Sequence, residues 1–346
     1  ELGATIPEAG GAQIFARRAF NDLVSFIAGW ALLLDYVLTA SISAYTIGPY
    51  LAQFIPVLEK PLWIVGTASG VMILLAGINI IGIKESSRIS VMLSALCIGT
   101  LLVLIVWGFC TVFSPTQFVK QIHVGTSTTW GEFLNGLVLA MVAYIGIEAA
   151  TQLSGETHQP GKMLPRAIKW IMGTVLVLHM GVTAVAMCAM PPEILGTTWL
   201  EKPLVGVAQA AVGPWMAAWI GILAAVILFV ATNAGLIGAS RLAYSMSAHF
   251  QLPRPFQTLH RTRRTPWVAL LFFTAAAIGV LCATRNMKAL AELYNFGSML
   301  AFALAHLSLI GLRWREPKLE RPYKVGWNLK FAGREIPVTA LIGFLA

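Results

Sequence analysis

Charge is scarce in this sequence. Only 11% of its 346 residues are Asp, Glu, Lys or Arg while 57% are hydrophobic, whereas soluble domains carry about a quarter charged residues. A water-soluble globular fold is excluded, which leaves a polytopic membrane protein. Cysteine is scarce too. Cys97, Cys110, Cys188 and Cys282 all fall inside apolar runs and none forms a CxxC pair, so they read as small packing residues and say little about redox compartment. His179 and His306 lie in apolar runs without any HExxH-like spacing. They are read as interhelical hydrogen-bonding residues, and neither a metal nor a cofactor is expected. No catalytic constellation is visible, which argues against a membrane enzyme or redox subunit. Residues 1–11 also lack the basic and apolar regions of a cleavable signal.

What is present is a series of apolar runs of membrane-spanning length. Eight are complete, over 23–54, 61–83, 89–113, 133–153, 167–190, 215–239, 267–283 and 290–312, and a ninth begins at Ile336. The loops are short, so neighbouring spans are antiparallel, and residues 1–346 read as one transmembrane domain. A start without Met and an end inside an apolar run lead us to expect a fragment of a longer protein.

The net charge of +9 would suggest nucleic acid as a partner of a soluble protein, but here its distribution gives orientation. One set of alternating loops holds two basic residues in 1–22, two in 84–88, three in 162–169, five in 241–264 and seven in 313–334. The opposite loops hold only Lys60, Lys120, Lys202, Arg285 and Lys288. This bias of 19 to 5 places residue 1 and the loop around His249 in the cytoplasm, and the membrane expected is the cell membrane. The surroundings are then a lipid bilayer, with no nucleic acid.

Polar residues inside the runs are the candidates for function. In "MVAYIGIEAATQLSGE" (141–156) a glycine, Gly146, and a carboxylate, Glu148, stand near the centre of a span, where an ionisable group costs a few kcal/mol or more. Asn233 and Ser240 could line an ion site, or could equally mediate helix packing. Glu292 lies near a span boundary, where a solvated carboxylate is unremarkable. Two connections, 7–22 and 191–214, are longer than the rest and combine Pro or Gly with a short amphipathic stretch. Paired features on opposite sides of the membrane are what an inverted repeat leaves behind.

These residues, with "ELGATIPEAGG" (1–11), "GWALLLDY" (29–36), "AYIGIEA" (143–149), "ETHQPGKMLPRAI" (156–168), "SRLAYSMSAHFQLP" (240–253) and "ELYNFGSMLAFALAHLSLIGLR" (292–313), resemble the amino acid, polyamine and organocation superfamily in its prokaryotic amino acid permease branch. The blocks run in the family's order over nearly the whole chain. The resemblance implies an all-α membrane protein, a leucine-transporter-type inverted-repeat helical bundle. The chain would lack the first helix, most of the second and the C-terminal helices.

The family's first and sixth helices are broken and bind substrate jointly, and only the sixth, 133–153, is expected here. By resemblance, carbonyls freed around Val142, Ala143, Tyr144 and Ile145, with Gly146 as the break, hold the substrate ammonium, and the side chains of Val142, Tyr144 and Ile145 shape the pocket. The apolar Val142 and Ile145 argue mildly for a neutral or apolar amino acid. The chain departs from many members at Gly155, which stands for an acidic residue, and at Ser247, Ala248, His249 and Phe250, which stand for "ARDG". Some proton-coupled members have a Lys where this chain has Cys97. The carboxylate on the third helix remains, as Asp35. Asp35 and Glu148 are therefore candidate proton-carrying groups, and Asn233 and Ser240 candidate coupling or gating residues, with sodium the rival ion. The function implied is secondary transport of amino acids by alternating access, proton-coupled or by exchange, with no enzyme activity. A transporter-like amino acid sensor or assembly subunit, and a polyamine or organocation permease, stand as alternatives.

Overall fold

The computed structural model describes residues 1–8, 10–81, 87–121, 129–141, 146, 150–151, 154, 157–331 and 334–345. Its helices are α1 (Leu2–Thr5), α2 (Ala12–Ala19), α3 (Asp22–Leu51), α4 (Pro61–Ile81), α5 (Ser87–Thr111), α6 (Pro115–Gln121), α7 (Trp130–Met141), α8 (Pro160–Ala189), α9 (Pro192–Leu195), α10 (Pro203–Ala211), α11 (Pro214–Ala248), α12 (Trp267–Thr284), α13 (Met287–Arg315) and α14 (Val338–Leu345). Six of these open on proline, which has no N–H to lose in a first turn and is preset in φ. Asn21 caps α3 by accepting the Val24 N–H at 2.9 Å, and Asn286 caps α13 by accepting the Lys288 N–H at 2.8 Å. Thr129 and Glu132 form a capping box at the start of α7: the Glu132 carboxylate accepts the Thr129 N–H at 2.9 Å and the Thr129 hydroxyl accepts the Glu132 N–H at 3.3 Å. Those hydrogen bonds hold the Glu132 carboxyl below the usual carboxylate range.

Among the described residues, seven helices are long and apolar enough to cross a membrane: α3, α4, α5 from Val91, α8, α11, α12 and α13. They match seven of the eight expected runs. The remaining run, 133–153, is described only along α7 and at Gly146, Ala150 and Thr151.

The fold is helical with one addition to the all-α expectation. Strands β1 (Asn328–Phe331) and β2 (Arg334–Pro337) form an antiparallel hairpin with Leu329 opposite Ile336 and Lys330 opposite Glu335. Ile336, expected to open a ninth helical run, belongs to β2, and the helix begins at Val338. The reason is local: a residue before proline is pushed to extended backbone, and Pro337 follows.

The centre of the bundle is α3. Its inward face is built of small residues, including Ala28, Ala31, Ala40, Ser41 and Ala44, all fully buried, so partner backbones come close. A Cβ on Gly235 of α11 would stand 2.9 Å from the Tyr36 carbonyl oxygen and the Ala40 nitrogen, and one on Gly297 of α13 would stand 3.2 Å from the Ala31 oxygen. At Gly235 any side chain would force the helices apart, and at Gly297 it would crowd the α3 backbone.

Contacts at the two ends of the bundle sort the loops. At one end Arg18 pairs with Glu316 at 2.9 Å, Gln13 donates to Gln251 at 2.9 Å, Lys169 lies over the Tyr323 ring and the Thr265 hydroxyl reaches the Ile80 carbonyl at 3.4 Å. The loops rich in Lys and Arg are therefore gathered together. At the other end Lys202 pairs with Glu59 at 2.9 Å and the Tyr45 hydroxyl donates to Glu201 at 3.2 Å.

Candidate functional site

Gly146 has φ +106° and is exposed, with nothing within 4 Å of where a Cβ would stand. A right-handed helix cannot run through that angle. The chain is helical up to Met141 and again at Ala150 and Thr151, so the helical path along this span is interrupted at Gly146. An interruption frees backbone N–H and C=O groups, which inside a membrane are tolerated only against protein or in a cavity. Val142, Ala143, Tyr144, Ile145 and Glu148 lie outside the described residues. The chain beyond the break is held by the first residues: Gly3 sits so close to Thr151 that a Cβ there would be 3.3 Å away, and the Ser154 hydroxyl donates to the Glu8 carbonyl at 3.2 Å.

Asp35 is buried on α3, 2% exposed. The Ser298 hydroxyl of α13 donates to its Oδ1, and the Thr39 hydroxyl donates to its backbone carbonyl at 2.8 Å. Gly297, next to Ser298, brings the α13 backbone to the Asp35 nitrogen, 3.4 Å from a built Cβ. Asp35 is thus the polar centre of the α3–α13 contact. A buried carboxylate stays in such a place only with hydrogen-bond partners or by holding a proton.

Asn233 and Ser240, both buried on α11, are used differently. Asn233 Oδ1 accepts from Asn79 Nδ2 of α4 at 2.6 Å, an amide pair across helices. The Ser240 hydroxyl donates to the Ile237 carbonyl of its own helix at 2.9 Å. Residue-type reasoning missed Ser298 and Asn79, since small polar residues on a span carry no sign of which partner they meet. Buried Asn295, one turn before Ser298, was missed too.

A cavity of about 230 Å³ opens at the end opposite the basic loops, lined by Pro49, Glu59, Thr197, Leu200, Glu201 and Lys202. Pro49 is fourteen residues beyond Asp35 on α3, about 21 Å along the helix. This space is therefore a mouth of the bundle, distinct from the Asp35 contact.

A family model described as amino acid permease matches residues 1–346. The chain belongs to the amino acid permease family. It is 27% identical to the branched-chain amino acid permease BcaP of Bacillus subtilis (strain 168), over 94% of this chain and 71% of that protein. It is 26% identical to the methylthioribose transporter of the same organism, over 94% of this chain and 72% of that protein. Solute carrier family 7 member 13 of Mus musculus is 26% identical over 99% of this chain and 72% of its own length. Family membership and the seven apolar helices make this permease-family chain an integral, multi-pass membrane protein. The family is one of transporters, and enzymes do not define it.

Proposed function

We propose that the protein is a secondary transporter of amino acids working by alternating access, with substrate held at the broken helix around Val142–Gly146. The observation that carries this is the +106° φ of Gly146 between helical segments, where freed carbonyls suit an ammonium group and no covalent chemistry is called for. The name of BcaP and the apolar Val142 and Ile145 favour a branched-chain or other neutral side chain. The methylthioribose transporter is about as similar, so a sugar-like substrate is the comparison compound. Asp35 and Glu148 are proposed as the proton-carrying groups, with Asn233 and Ser240 the residues for a sodium-driven alternative. Residue 1 and the basic loops are assigned to the cytoplasm on the 19-to-5 charge bias, and the membrane is taken to be the cell membrane.

The test uses the full-length protein in liposomes. Counterflow of labelled leucine, with methylthioribose alongside, is expected for wild type and lost in Gly146→Leu, whose branched side chain intrudes on the proposed substrate site and disfavours the +106° backbone angle. Counterflow of leucine at the wild-type rate in Gly146→Leu rules out this site. Binding without counterflow in wild type points instead to a sensor or assembly subunit. An imposed pH gradient without sodium then compares wild type with Asp35→Asn and Glu148→Gln. Full proton-driven accumulation in both variants removes both carboxylates from coupling, and a sodium requirement in wild type removes the proton proposal.

A further inference from the structure

Most cations near the end of α13 have a partner. Arg313 and Arg321 pair with Glu1, Arg18 with Glu316 and Lys324 with Glu335. The loop entering α12 is different. Arg261, Arg263 and Arg264 are all exposed, and none has an ion pair among the described residues. No Asp or Glu occurs anywhere between Glu201 and Glu292, so no neighbour along the chain neutralises these three guanidiniums.

The loop is also folded. The His260 N–H donates to the Thr265 carbonyl at 2.8 Å and the Arg264 N–H to the His260 carbonyl at 2.9 Å, closing a six-residue turn with Arg264 at φ +55°. The His260 ring sits inside it, with Nδ1 accepting the Arg263 N–H at 3.4 Å and the Thr262 hydroxyl 3.3 Å away. The arginines therefore stand on a fixed turn. Its flanks are apolar and exposed, Leu259 before it and Trp267, the first residue of α12, after it. Tryptophan at the start of a span marks headgroup depth.

We propose that Arg261, Arg263 and Arg264 form a binding surface for the phosphates of anionic phospholipids in the leaflet at this end of the bundle. Arginine forks match phosphate oxygens in two-point hydrogen bonds, and clustered basic residues beside a span attract anionic headgroups. An orientation rule alone asks for positive charge in a loop. It does not ask for three exposed, unpaired arginines on a closed turn between two exposed apolar residues, and that combination suits a lipid better than a free anion or an acidic protein. The proposal rests on α12 spanning the membrane and is independent of transport; the orientation decides only which leaflet is meant.

The test is the lipid retained by the full-length protein, read by native mass spectrometry after extraction from nanodiscs of phosphatidylcholine with a minority of phosphatidylglycerol. Wild type is expected to enrich phosphatidylglycerol. The triple variant Arg261→Gln, Arg263→Gln, Arg264→Gln is expected to weaken that preference about a hundredfold, while lysine at all three positions, which keeps the charge and loses the fork, keeps only part of it. The control Arg285→Gln, Lys288→Gln at the opposite end should leave it unchanged. Should the triple variant fail to fold, each single glutamine substitution is expected to weaken enrichment about fivefold. Unchanged enrichment in the glutamine variants overturns the proposal, as does an equal loss in the opposite-end control. Displacement of the lipid by inorganic phosphate at equal concentration assigns the surface to a free anion, and displacement by a poly-glutamate peptide assigns it to an acidic protein; either result overturns the lipid assignment.

Discussion

The α3 side of the bundle and the α5 side obey different rules. The most apolar window of α5 is more hydropathic than that of α3, yet only 17% of it is buried, against 61% for α3. In water the order would be the reverse. Inside a bilayer the lipid is as apolar as leucine, so hydropathy does not drive helices together, and close packing through small residues and interhelical hydrogen bonds does. α3 has alanine, serine and glycine facing its neighbours, and α5 shows Val91, Met92, Val103 and Val106 outward. Even on the α5 side, contact occurs where glycine permits it: a Cβ on Gly108 would meet Val185 of α8 at 2.4 Å, and one on Gly181 would meet Ile105 at 2.8 Å.

The largest expected effect comes from the clasp at the bundle's basic end. Glu1 and Arg313 are buried side chains, 1% and 2% exposed, joined by the Arg313 Nε bond at 2.9 Å, with Arg321 Nε at 3.3 Å and the Val325 N–H at 2.8 Å on the same carboxylate. Arg313→Ala leaves that carboxylate buried with much of its compensation gone, and should cost about 3–5 kcal/mol, read as thermal unfolding in detergent. The double variant Arg313→Met, Glu1→Gln should recover part of the loss.

Next is a direct trial of the comparison. Gly235→Leu drives a side chain into the α3 backbone and should destabilise by about 1–3 kcal/mol or more. Gly99→Leu on α5, where nothing among the described residues lies within 4 Å of a built Cβ, should change stability by less than about 0.5 kcal/mol. A large loss from Gly99→Leu would break the comparison.

A gain is expected where α11 ends. Phe250 holds φ +59° while its ring is 82% exposed, so it has the strain of a left-handed backbone with little packing in return. Phe250→Gly should stabilise by about 1 kcal/mol, measured in the same melt. The resemblance to "ARDG" has glycine at this position, for the reason the angle supplies.

The smallest effect is one of pH. The Lys324 ammonium beside Glu335 holds its carboxyl below the usual carboxylate range. A depressed pKa adds stability above the unfolded value and loses it as pH falls through the folded one. The hairpin should therefore loosen below about pH 4.5, seen as faster amide exchange in residues 328–337, and Glu335→Gln should remove that dependence.

Seven of the described helices were legible because length and hydropathy specify a span. Which spans form the centre was written in small residues, a signal that a count of apolar runs passes over. A mid-span carboxylate and a glycine two residues before it drew attention to 146–148, but that the helix breaks there came from the family resemblance, since the residues alone fitted close packing equally well. Asp35 was visible as a buried carboxylate, but its partner Ser298 lies 263 residues away and the Asn79–Asn233 pair spans 154; a single sequence has no means of joining such positions. The hairpin escaped because its strands are only four residues long, too short for a periodic pattern to stand out.

The clasp on Glu1 has a mechanical meaning. With its carboxylate held by two guanidiniums and a backbone amide, Glu1 ties the first segment to the end of α13 and to the loop before the hairpin. The same short segment presses Gly3 against Thr151, and Glu8 takes the Ser154 hydroxyl. One short segment therefore links the end of α13 and the loop before the hairpin, through Glu1, to the chain just past Gly146, through Gly3 and Glu8.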